Sequence, residues 1–168
     1  MTTKIFDIVD ATKRYKAEKY EFFLSMKSWK KFRTRYKLTW SKERFIEGGH
    51  TVIPDERGIY FFTIELSPSK LPSHGYILYI GEAGQDSQNT LRRRYVQYVR
   101  EWKGGRGRPA VKFMIDNWMG DLFFNFASLP DTKVDLKQLE TSLLNALIPP
   151  INKRDFDAEI MAPRAAAF

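Results

Sequence analysis

HGYILYIGEAG, residues 74–84, decides how the rest of the chain is read. An apolar run of strand length carries two tyrosines, Tyr76 and Tyr79, and stops at Gly81 rather than at a hairpin turn. A buried tyrosine needs a partner for its hydroxyl. A glycine at a strand end marks a place where something approaches the backbone closely. GIYFFTIEL at 58–66 is a second run of the same kind. Both are β-rich and apolar on both faces, which predicts inner strands covered on both sides. SPSKLPSH between them reads as a long hairpin connection.

Downstream, the polar loop EAGQDSQ leads into NTLRRRYVQYVREWK at 89–103, a helix capped by Asn89 or Thr90. Helical periodicity puts Leu91, Tyr95, Tyr98, Val99 and Trp102 on one face. Arg93 and Arg100 point away from it, and Arg94 borders it beside Tyr98, one turn on. GGRGRP at 104–109 ends the helix and reads as a mobile loop. AVKFMIDNW at 110–118 reads as a short helix or an irregular segment, and LFFNFASL at 122–129 as a third strand. A last helix, 135–147, is stopped by the prolines of IPP, with Leu136, Leu139, Leu143, Leu144 and Leu147 as its apolar stripe. Glu140 falls in the middle of that stripe. An unpaired buried carboxylate costs several kcal/mol, so it is neutralised, paired in a structural ion pair, or bound to a metal. Asn152 follows directly, in PPIN.

At 168 residues with 43% hydrophobic and 15% aromatic residues, the chain is long enough for one domain with a real core. It has no cysteine, which removes thiol chemistry, disulfides and thiolate zinc sites. No apolar h-region opens the chain and no uncharged apolar stretch approaches ~18 residues, so a cytoplasmic, nucleoid-associated protein without membrane contact is expected. The tail, 156–168, carries little information.

The net charge of +8 is uneven. Residues 1–50 hold 13 Lys and Arg against 6 Asp and Glu, whereas 51–168 hold 15 against 14. The first third shows helix-like patches at Tyr15–Lys27 and Ser41–Glu47 and no strong strand signal. Its stretch WKKFRTRYKLTW at 29–40 interleaves Lys30, Lys31, Arg33 and Arg35 with aromatic rings. That is the composition of a surface that neutralises phosphates and stacks on bases, and equally of a helix with a solvated charged face. EGGH and IPDERG at 47–58 mark a boundary after this extension.

Gly58-Ile59-Tyr60 and Tyr79-Ile80-Gly81 occur in order with Leu91, Arg94 and Tyr98 on one helix, Leu139, Glu140 and Leu143 on another, and Asn152 after two prolines. Over roughly residues 55–155 this set resembles the GIY-YIG nuclease superfamily. The resemblance implies an α/β fold of the α+β type: a small antiparallel, three-stranded sheet flanked by helices, here with the N-terminal helical extension at 1–50 as a DNA-gripping arm. It implies a metal-dependent endonuclease acting on duplex or branched DNA. Tyr60, Tyr79, Arg94, Tyr98, Glu140 and Asn152 would form the catalytic set, with Glu140 as sole protein ligand of Mg²⁺ or Mn²⁺. Arg94 would contact the scissile phosphate, and Gly81 would let nucleic acid come close. Asn152 would fix the local structure or the phosphate. Arg92, Arg93 and Arg100 are further candidates for DNA contact, as are Lys30, Lys31, Arg33 and Arg35.

The residue chemistry agrees with that implication. Phosphodiester hydrolysis needs an in-line water, a proton acceptor, and neutralisation of the phosphoryl oxygens. Arginine suits the phosphate because its planar fork stays charged. Tyr60 is the first candidate for the base, helped by Tyr79 or Tyr98, provided its pKa is lowered from ~10. His50 and His74 lie in expected loops outside the set. One such site cuts one strand, so double-strand cleavage would need a homodimer on DNA or sequential nicking. Two alternatives remain at this level: a nucleic-acid-binding module on the same fold with weak or lost catalysis, and a nuclease directed at RNA.

Overall fold

β2 (Gly58–Leu66) and β3 (His74–Ala83) pair antiparallel, with Tyr60 opposite Gly81 and Phe62 opposite Tyr79. Alternation along β2 sends Tyr60 and Phe62 to one face of the sheet and Ile59 and Phe61 to the other. Both faces are covered, which accounts for the absence of a polar face. The computed structural model describes residues 8–9, 12–13, 26–66, 74–104, 107–153, 156–157 and 160–162. In chain order its elements are α1 (Met26–Lys31), β1 (Ser41–Arg44), a 3₁₀ turn (Gly49–Val52), β2, β3, α2 (Leu91–Gly104), α3 (Pro109–Trp118), β4 (Leu122–Ser128) and α4 (Leu136–Leu147).

The architecture is mixed α+β, built on a four-stranded antiparallel sheet of order β1-β4-β2-β3. The expected three-stranded sheet gains β1, which pairs with β4 from Ser41 opposite Phe126 to Arg44 opposite Phe123. The helix-like patch Ser41–Glu47 is therefore corrected to a strand and the turn after it. Four residues, SKER, have too little pattern of their own, and pairing with β4 overrides local propensity. Phe45 is buried behind them and donates its N–H to the Leu122 carbonyl at 2.8 Å. Ile53 is buried in the same core, so 41–53 belongs to the sheet domain rather than to a separate extension. Of the other patch, Tyr15–Lys27, only Met26 and Lys27 are among the described residues, and both lie in α1.

On one face, Leu91, Tyr95 and Tyr98 of α2 and Val111, Met114 and Ile115 of α3 close over Tyr60, Phe62, Phe124 and Phe45. Residues 110–118 are thus helical, entered through Pro109 at the first helical position, where a missing N–H costs nothing. On the other face, Leu136, Leu139, Leu143 and Leu144 of α4 cover Ile59, Phe61 and Ile80, with Phe32, Tyr36 and Leu38 of the basic stretch packed around them. Asp135 caps α4 by accepting from the Gln138 N–H at 2.9 Å.

β3 is an edge strand, not the inner strand its apolar faces suggested. The segment after α4 closes its outer edge. Ile151 donates its N–H to the Leu78 carbonyl at 3.0 Å. The Asn152 amide both accepts from the Ile80 N–H and donates to the Ile80 carbonyl, each at 2.9 Å. A side chain thereby does what a neighbouring strand would do. No helix among the described residues is long and apolar enough to cross a membrane.

Candidate active site

Three tyrosines converge on the α2 face of the sheet. Tyr60 comes from β2, Tyr79 from β3 and Tyr98 from α2, with ring centroids 5.9–6.3 Å apart. The Tyr60 and Tyr98 hydroxyls share a hydrogen bond of 2.8 Å. Both side chains are buried, at 2% and 0% exposure, whereas Tyr79 is half-buried. Tyr76, the other tyrosine of the same strand, is exposed at 45%.

Gly81 has a structural reason that differs from the one its sequence suggested. It stands directly opposite Tyr60, and the Tyr60 ring lies across it. A Cβ at Gly81 would fall inside contact with the Tyr60 hydroxyl and Cζ, and 3.0 Å from Cε2. Close approach at the strand end is thus already accounted for by a ring of the same protein. Gly58 is similar, since a Cβ there would run into the Ala127 carbonyl of β4. The glycine of the second tripeptide and the tyrosine of the first are one packing unit.

Two arginines flank the tyrosines. Arg94 donates from Nη1 to the Gln97 side chain at 3.2 Å, and its charge acts on Tyr60. Its Nε is buried without a hydrogen-bond partner. A buried guanidinium donor left open points to an anionic acceptor. Arg108, which precedes α3, donates from Nη1 to the Tyr79 hydroxyl at 2.9 Å. Its guanidinium lies 5.1 Å from the Tyr98 ring centre and 5.6 Å from that of Tyr79. Arg108 carries no signal in the sequence, because GGRGRP has loop composition and no period that would fix where a side chain points.

The remaining candidates divide by location. Arg92 donates to the Ile53 carbonyl at 2.7 Å and Arg93 to the Gln88 carbonyl at 2.8 Å. With exposed Arg100 they line a groove of about 540 Å³ along α2, bounded by Asp55 and Asn89. Helix phase therefore separates Arg94, turned toward the tyrosines, from Arg93, which is exposed. Glu140 lies on α4, below the opposite face, and is buried at 7% exposure with the Lys137 ammonium 3.3 Å from Oε2. α4 packs chiefly on β3, the strand that forms the sheet edge. Lys30, Lys31, Arg33 and Arg35 are exposed on the α4 side. Arg33 donates to the carbonyls of Lys30 and Phe32 at 2.7 and 2.6 Å, ending α1, and Arg35 bonds the Tyr36 hydroxyl at 3.0 Å. Asn152 acts on the Ile80 backbone, the structural one of its two expected roles.

Burial pushes the Tyr60 phenol well above its ordinary range, with Tyr98 and Tyr79 adding to the effect against a smaller opposing pull from Arg94. Burial raises Tyr98 in the same way. Tyr60, the first candidate for the base, is therefore held neutral. A folded-state value above the unfolded one means that stability is complete below the unfolded pKa of ~10 and is lost as pH rises past it. Denaturant midpoints should fall above about pH 10, by up to roughly 1.4 kcal/mol per pH unit for each tyrosine that ionises only on unfolding. Tyr60→Phe should lose one tyrosine's share of that slope. An unchanged slope in the variant would show that Tyr60 ionises within the fold.

No protein-family model, curated protein or solved structure matches the chain.

Proposed function

We propose that the chain is a metal-dependent endonuclease that hydrolyses DNA phosphodiester bonds in a GIY-YIG-type site. The observation that carries this reading is the three-tyrosine cluster on Gly81, flanked by Arg94 with its open buried donor. An apolar core has no need of three clustered phenols beside two cations. A phosphoryl-transfer site needs both a hydroxyl that can take a proton and cations for the phosphate.

Tyr79 is the base in this reading, because its side chain is half-buried while Tyr60 and Tyr98 are buried and their hydroxyls bond to each other. Water attacks phosphorus in line with the leaving oxygen. The new P–O bond forms as the old one breaks, the leaving oxygen keeps the electron pair, and the water's proton passes to the Tyr79 phenolate. Arg94 neutralises the non-bridging oxygens. The α2 groove of Arg92, Arg93 and Arg100 receives the adjoining backbone phosphates.

Glu140 fits a Mg²⁺ or Mn²⁺ ligand: it is a buried carboxylate, acceptor-only when ionised, at the centre of an apolar stripe. Among the described residues no three His, Asp or Glu side chains gather to hold an ion, so the site would depend on one carboxylate with phosphate and water oxygens. The ion would supply charge neutralisation at the phosphate and the leaving oxygen. α4 and the tyrosines lie on opposite faces of the sheet, and the segment after α4 covers the outer edge of β3 between them.

Cleavage of supercoiled plasmid and of a branched duplex, with Mg²⁺ and with a chelator, tests the reading. Metal-dependent nicking is expected. Binding without cutting would transfer the chain to the class of nucleic-acid-binding modules, and cutting of RNA alone would change the substrate. Replacing Lys30, Lys31, Arg33 and Arg35 by Gln should weaken DNA binding and lower the slope of log K against log salt by up to about 3–4. An unchanged slope would leave those four as a solvated face.

A further inference from the structure

Arg108 lies outside the motif set, yet it is the cation closest to the phenol that this reading makes the base. Two side chains, Gln97 and Glu101, join it to Arg94. Arg94 donates to Gln97 at 3.2 Å, and Gln97 donates to Glu101 Oε1 at 2.8 Å. Glu101 Oε2 lies 3.7 Å from Arg108 Nε, and Arg108 donates to Tyr79 at 2.9 Å. Residues 94, 97 and 101 are spaced three and four apart on α2, so they form one row on the helix surface. That row ends on a residue from the next segment of the chain.

We infer that Arg108 is a positioning residue for Tyr79: it fixes the phenolic oxygen with a charged donor, while Glu101 aims its guanidinium. Three features support this assignment. The bond runs to the one tyrosine of the three that is not buried. The guanidinium is also held against the Tyr98 ring, which restricts its orientation. Glu101 has its Oε2 buried without a hydrogen bond, so its charge is directed at Arg108 through space rather than satisfied elsewhere. Arg94 and Arg108 therefore divide the work, the first facing phosphate and the second facing the base. Their spacing is kept by Gln97 and Glu101. The assignment of a catalytic role to Tyr79 rests on the proposed nuclease activity, but the effect of Arg108 on the Tyr79 hydroxyl does not.

The experiment uses the full chain. The ring carbon that bears the Tyr79 hydroxyl is labelled with ¹³C, and its NMR signal, assigned by its absence from Tyr79→Phe, is followed in wild type, Arg108→Gln and Arg108→Lys. The signal should move in Arg108→Gln and return part of the way in Arg108→Lys, because the hydroxyl loses and then regains a charged donor. In the cleavage assay Arg108→Gln should lower kcat by about tenfold or more with KM kept. A Tyr79 signal that stays in place in Arg108→Gln overturns the inference. So does a raised KM with kcat kept, which would make Arg108 a phosphate contact. A moved signal in a protein that cuts nothing upholds Arg108 and removes the nuclease reading, so the two fail separately.

Discussion

Glu140→Gln is expected to remove metal-dependent cleavage almost completely while leaving the fold in place. The side chain is buried in the apolar stripe of α4, and glutamine has its shape without its charge. Burying that charge costs desolvation free energy, and Lys137, which lies 3.3 Å from it, is half exposed. The melting temperature of the variant should therefore match or exceed that of wild type. Activity depends on it, since the neutral amide is a poor ligand for a hard cation. Losing about 3 kcal/mol or more of transition-state stabilisation corresponds to a rate at least ~10²-fold lower. Plasmid nicking across a Mg²⁺ titration, with a thermal melt of the same preparation, reads both. A variant that cuts like wild type would leave Glu140 a structural role alone.

Gly81→Ala should have a large effect for a single-methyl change in the sheet. The new Cβ would occupy space held by the Tyr60 ring, which is itself fixed by stacking on Phe124 with centroids 5.1 Å apart and by the bond to Tyr98. Overpacking of a close-packed core costs roughly 1–3 kcal/mol, and loss of the hydroxyl bond adds about 1 kcal/mol. For a chain of this length that lowers the melting temperature by roughly 2–4 °C per kcal/mol. Gly104→Ala is the control, since nothing lies within 4 Å of a Cβ there. Combining Gly81→Ala with Tyr60→Leu should cost less than the sum of the two single changes, because each relieves the other's crowding. Strict additivity would mean that ring and glycine are independent.

Legibility in the sequence followed the strength of the periodic signal. The runs at 58–66 and 75–81 and the stripes of α2 and α4 are long and regular, and each appears as an element in its expected place. β1 escaped because its four residues become a strand only through β4. The edge position of β3 escaped for a different reason: Asn152 closes the edge from 72 residues away. Tyr60, Tyr79 and Tyr98 were legible as a group, but their burial order was not. That order depends on which hydroxyl faces another hydroxyl and which faces Arg108. Gly81 was legible as a point of close approach, while the approaching group proved to be Tyr60. Arg108 was illegible, because a loop's side-chain directions come from the elements it joins and not from its own composition.

The most direct test of the central claim is the nicking rate of supercoiled plasmid in Mg²⁺ by wild type and by Tyr79→Phe at matched concentration. The side chain is half-buried and its ring remains, so the two proteins should melt alike. If the tyrosine cluster is a phosphodiesterase site with Tyr79 as its base, wild type nicks and the variant is about 10²–10⁴-fold slower. Equal rates from the two proteins would contradict it.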